Sequence, residues 1–146
     1  MKVYIGADHA GLKMKEALQA SLKAKGYDVV DLGAFNEEPT DYPVIAREVS
    51  ENVYENQGAR GILICGSGEG MCMTANKHRG VRAALADTPL RAKTAREHND
   101  ANIVCIGARF TDEKTAEQIV EAFLSTQFSS EKRHKNRVEM IEGNEK

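Results

Sequence analysis

Cysteine, net charge and long apolar runs are all scarce in this sequence, and each shortage removes a class of protein. The three cysteines, Cys65, Cys72 and Cys105, are an odd number without the paired close spacing of a zinc site. Neither a disulfide framework nor a metal site is therefore expected. A net charge of -2 supplies no clustered positive field for a phosphate backbone, so nucleic-acid binding is not expected. No apolar run of about 18 residues and no signal-like start is present, which predicts a cytoplasmic protein with no membrane partner. Repeats and low-complexity linkers are missing too. The 146 residues, 41% hydrophobic and 29% charged, fit a single domain over 1–146 that buries most of its apolar surface.

What is present alternates. "KVYIG" is a β-branched run ending in glycine, followed by Leu12, Met14, Leu18 and Leu22 at helical spacing and a C-cap signal at Gly26. "DVVDLG" reads as a second strand. After the turn signal "EEPTDYP", Ile45, Val49 and Val53 at steps of four read as a helix. "GILIC" is a third strand, Met71 to Lys77 a short helix, "VRAALA" a fourth strand, Thr88 to His98 a helix and "NIVCIG" a fifth strand. Ala116, Ile119, Val120, Phe123 and Leu124 mark an amphipathic helix capped by Thr111 or Asp112. Such alternation predicts an α/β fold: a Rossmann-like, doubly wound, five-stranded parallel sheet with helices on both faces. The charged tail from Ser129 to Lys146, with apolar positions at Val138 and Ile141, suits a C-terminal helix packed on a partner subunit.

Ligands of doubly wound sheets sit outside the carboxyl ends of the strands. "GADHAG" after the first strand, "CGSGEG" after the third and "HND" before the fifth fall there. In the second, glycines 66, 68 and 70 let successive N–H groups turn inward as a nest at a helix N-terminus, a site for negative charge. The Rossmann fingerprint fails because Met71 stands where glycine is needed, and the P-loop fails because Leu12 occupies the lysine position. A cysteine phosphatase would also need arginine where Met71 stands, so a base suits Cys65 better than a nucleophile. A helix N-terminus favours the thiolate of a neighbouring cysteine, which fits that role.

Each candidate has a plainer reading. Cys65 can be a buried core thiol. Asp8 can cap, or it can fix the imidazole of His9 or bind a substrate hydroxyl. His98 can cap the carbonyls that end its helix. Glu69 is expected solvated at the loop tip and Cys72 turned to the core. In "KRHKNR", Arg133 and Arg137 lie four apart on one helical face, where two guanidinium forks can converge on a phosphate or simply be solvated.

Taken in order, "GADHAG", "TDYP", "ILICGSGEGM", "ANK", "REHND" and "RHKNRV" resemble the type B ribose-5-phosphate isomerases and their sugar-phosphate isomerase relatives, over nearly the whole chain. The resemblance implies interconversion of ribose 5-phosphate and ribulose 5-phosphate in the pentose phosphate pathway, through a cis-enediolate, without metal or cofactor. It also implies a homodimer or dimer of dimers whose sites draw on both subunits. It casts Cys65 as the base acting at C2 and C1, His98 as the ring-opening residue, and Ser67 as the hydroxyl assisting at O1 and O2. The loop Gly66, Ser67, Gly68, Glu69 and Gly70 would hold the enediolate oxygen. Asp8, Tyr42 and Asn99 would bind the sugar. Arg133 and Arg137 would bind the phosphate with His9 and Arg109, the last entering, with His98, from the other subunit. Some members place a glutamate base at the position of Met71 and glycine in place of the cysteine, so this chain resembles the cysteine subtype. A hexose 6-phosphate, such as allose 6-phosphate, is the competing substrate within the family. A non-catalytic phosphate- or nucleotide-binding module is the competing reading from outside it.

Overall fold

The computed structural model describes residues 1–143; the last three positions of the expected tail lie outside them. Strands β1 (Lys2–Ala7), β2 (Asp28–Asp31), β3 (Arg60–Cys65), β4 (Ala83–Leu85) and β5 (Ile103–Gly107) form one sheet in the order β2-β1-β3-β5-β4. Every pairing is parallel. Helices α1 (Leu12–Ala24), α2 (Tyr42–Glu55), α3 (Glu69–Ala75), α4 (Pro89–Asn99), α5 (Glu113–Ser125) and α6 (Lys132–Ile141) follow the strands or close the chain. The expected doubly wound sheet is thus observed.

Two cores explain why the helices divide between the faces. Met14, Leu18 and Leu22 of α1, Ala92 and Ala95 of α4 and Ile119 and Phe123 of α5 pack on Val3, Ile5, Ile62, Ile64, Val104 and Ile106. On the other face Ile45, Val49 and Val53 of α2 and Met71 and Ala75 of α3 cover Tyr4, Leu63, Ile103 and Cys105. Alternate residues of one strand serve opposite cores, as the period of two requires. Truncating a fully buried residue such as Leu63 costs on the order of 2–5 kcal/mol through lost transfer energy and the cavity left behind.

Caps set the helix ends. Asp112, not Thr111, caps α5, its Oδ1 accepting from the Thr115 amide at 2.7 Å. Thr88 caps α4 through the Arg91 amide at 3.2 Å. Helix α3 starts at Glu69, two residues before the expected Met71, because Gly68 at φ 79° turns the chain directly into it. It ends at Ala75 rather than Lys77. Among the described residues no helix is long and apolar enough to cross a membrane.

Strand β1 leads to β2 on one side, while β3 pairs with its other side. The β1/β3 boundary is therefore the topological switch point, where the loops leaving the two strands part and open a crevice. "GADHAG" and "CGSGEG" leave from those two carboxyl ends.

Candidate active site

A cavity of about 400 Å3 lies at that crevice, lined by Asp8, His9 and Ala10, by Cys65, Gly66, Ser67, Glu69 and Gly70, and by Tyr42, Met73 and Arg109. Nine of the residues singled out in the sequence meet there. Gly68 stands behind the surface, and its buried amide donates to Cys65 Sγ at 3.1 Å. The sequence reading aimed that N–H outward at an oxyanion; it serves the sulfur instead.

The loop beyond Cys65 is shaped by what the glycines admit. A side chain at Gly70 would fall on the Tyr42 ring, 2.8 Å from its hydroxyl. The bare backbone there lets Tyr42, the first residue of α2, reach over the loop. Glu69 is exposed, as expected, and its amide donates to Ser67 Oγ at 3.2 Å. Cys72 is half-buried against the second core.

On the β1 side, Asp8 is buried and caps the turn that follows, with Oδ1 accepting from the Gly11 amide at 3.1 Å. The capping role is thus real. Asp8 does not orient His9: the Nδ1 of His9 accepts from the Thr40 amide at 3.1 Å. With Nδ1 accepting, Nε2 is the ring nitrogen left to donate. The 31–40 loop behind it is held by Lys15, which is buried, pairs with Asp31 at 2.8 Å and donates to the Ala34 carbonyl. Thr40 stands in the quoted "TDYP", but the use of its amide, like the burial of Lys15, was not legible in the sequence. A lysine inside a helical pattern carries no signal that its tip turns to the core.

Arg109 corrects an expectation. It was assigned to the neighbouring subunit, yet its guanidinium lines this chain's own cavity, beside Gly66. The pairing of β3 with β5 continues past both strands, with the Ala108 amide on Cys65 O at 2.9 Å and the Arg109 amide on Gly66 O at 3.0 Å. Those bonds carry Arg109 to the loop.

His98, Asn99, Arg133 and Arg137 do not line the cavity. They gather where α4 meets α6, on a different part of the surface. There the His98 ring stacks on that of His134, with centroids 4.4 Å apart and planes at 27°. His134 is the buried residue of α6, and its Nδ1 bonds Ser129 Oγ at 2.6 Å. Burial first, then the His98 and Arg133 charges, hold His134 below the usual histidine range. Arg133 Nε donates to Glu131 at 2.9 Å. Asp100, the last residue of "HND", is structural: it ends α4 at φ 47° and takes Arg96 on Oδ1 at 2.8 Å and Arg82 on Oδ2 at 3.3 Å.

A second cavity, of about 450 Å3, shares Ser67 and Glu69 with the first and extends along Leu85, Asp87, Arg91 and Phe110.

With this geometry in view, the comparisons are direct. The sequence matches the Ribose/Galactose Isomerase family over residues 3–141. It is 39% identical to ribose-5-phosphate isomerase B of Escherichia coli K12 over 140 residues, 96% of this chain and 93% of that one. A ribose 5-phosphate isomerase of Thermotoga maritima superposes with a TM-score of 0.94 at 42% identity, covering 97% of each chain. Ribose-5-phosphate isomerase B of Mycoplasma genitalium, solved with ribulose 5-phosphate bound, superposes with a TM-score of 0.93 at 40% identity, covering 97% of this chain and 94% of that one. On sequence and on fold alike, the chain belongs to the Ribose/Galactose Isomerase family.

Proposed function

We propose that this chain is an aldose–ketose isomerase that interconverts D-ribose 5-phosphate and D-ribulose 5-phosphate through a cis-enediolate, with Cys65 as the general base. The observation that carries the reading is the Cys65 sulfur at a backbone donor, in one cavity with Ser67 and Arg109. In the open-chain aldose the thiolate takes the proton from C2, and electron density moves onto O1. Ser67 relays the proton from O2 to O1, and the Cys65 thiol returns its proton to C1. Charge that develops on oxygen lies toward the first turn of α3, whose positive dipole end stabilises it. Asp8 and Tyr42 bind sugar hydroxyls, and His9 and Arg109 meet the phosphate. The reaction uses no metal or cofactor, and its place is the cytoplasm and the non-oxidative branch of the pentose phosphate pathway.

His98 opens the furanose ring, Asn99 binds a hydroxyl, and Arg133 and Arg137 hold the phosphate. Because these four lie away from the cavity, they act on the substrate of a second copy in a homodimer, alone or paired into a tetramer. A chain by itself would bind the phosphate and open the ring poorly.

The neighbouring cavity keeps a hexose 6-phosphate as the second reading. A coupled assay of the purified protein with EDTA, comparing ribose 5-phosphate with allose 6-phosphate, decides. Turnover of the pentose is expected. Turnover of the hexose alone would move the substrate, and turnover of neither would leave only a phosphate-binding module.

A further inference from the structure

The two cysteines that the proposed reaction leaves unused lie side by side. Cys105 is buried in β5, opposite Leu63 of β3 in register, on the face covered by α3. Cys72 comes one turn into α3 and is half-buried at the edge of that core. Its sulfur lies 3.4 Å from the Ala83 carbonyl oxygen of β4. Leu85 is directly beside Cys105 across the β4–β5 pair. Cys72 packs against the buried cluster that holds Cys105.

We propose that Cys72 and Cys105 form a peroxide-sensitive site, in which hydrogen peroxide closes a disulfide between them with Cys72 as the attacking sulfur. The pair is asymmetric in the way such chemistry needs. The neighbouring Cys105 side chain holds Cys72 below the ordinary thiol range, against its burial. Burial pushes Cys105 well above that range, so it stays a thiol. Cys72 is also the one a small oxidant reaches, since Cys105 has no exposed surface.

The Cys72 thiolate attacks one peroxide oxygen; the S–O bond forms, the O–O bond breaks, and the departing hydroxide takes a proton to become water. The Cys72 sulfenic acid then condenses with the Cys105 thiol, forming the S–S bond and releasing a second water. The two thiols together lose two electrons, and the peroxide gains them. The bridge would tie α3, whose first turn lines the site, to β5.

The test is peptide mapping of the intact protein. Cleavage after Glu55, Glu69, Glu97 and Glu113 places Cys65, Cys72 and Cys105 in separate fragments, 56–69, 70–97 and 98–113. After brief peroxide treatment and alkylation, fragments 70–97 and 98–113 are expected joined, two hydrogens lighter than their sum, and released by dithiothreitol. In Cys105→Ala, dimedone should instead trap a sulfenic acid on Cys72, and in Cys72→Ser no bridge should form. A bridge to the fragment bearing Cys65, or full alkylation of Cys72 after peroxide, would overturn the proposal. The readout is covalent and does not depend on the isomerase reading.

Discussion

At Gly68 the chain passes through φ 79°, its amide bonds the Cys65 sulfur, and a β-carbon there would lie 2.9 Å from the Gly107 nitrogen. One residue thus sets the loop, the thiol's partner and the closeness of β3 to β5. Gly68→Ala should lower stability by about 1–3 kcal/mol, the usual scale for a strained backbone position, and should depress turnover as the N–H leaves the sulfur. A urea midpoint equal to wild type would show that the loop relaxes freely. Site residues of this kind were legible in the sequence because glycine spacing is a backbone signal. The use of the Gly68 amide was not, since spacing places an N–H without saying which atom it meets. Asp100 is the opposite case: it looked like part of a motif, and it holds Arg96 and Arg82 at the end of α4.

Among the elements, α6 differs most from the rest. It buries His134 where other helices bury aliphatic stripes, and Met140 and Ile141 at its end stay exposed. Its docking therefore rests in part on the state of one imidazole, beside the ion pair of Arg82 with Glu142. A histidine held below its ordinary value, here 6.5, takes a proton more readily in the unfolded chain. The stability it contributes is then full above that value and lost as pH falls through it toward the folded value. Denaturant midpoints measured above and below pH 6.5 should fall on the acid side in wild type and fall less in His134→Gln. Equal slopes for the two would show that His134 plays no part. The helices and strands themselves were readable because alternating periods of two and 3.6 report burial. The order β2-β1-β3-β5-β4 was not, because the order of strands in a sheet depends on crossovers that leave no local pattern. For the same reason, Arg109 was legible as a candidate and its side of the site was not.

Across the whole molecule the candidate residues fall in two places: a cavity with the thiol at the sheet's carboxyl edge, and the His98, Arg133 and Arg137 patch by α4 and α6. If a second copy brings the patch to the cavity, two defective variants should repair each other. Cys65→Ala and His98→Ala, each inactive, should regain about a quarter of wild-type activity after dissociation and random reassociation, since half of the symmetric dimers are mixed and each mixed dimer holds one intact site. No recovery would place both residues in the site of a single chain. The claim on which the rest depends is that the Cys65 sulfur moves the proton, and its most direct test is the turnover of ribose 5-phosphate by Cys65→Ala beside wild type, with binding of the phosphosugar measured in parallel. The account predicts that turnover falls by about 10²–10⁴-fold, the scale of a lost general base, while binding is nearly kept; turnover undiminished in the variant would contradict it.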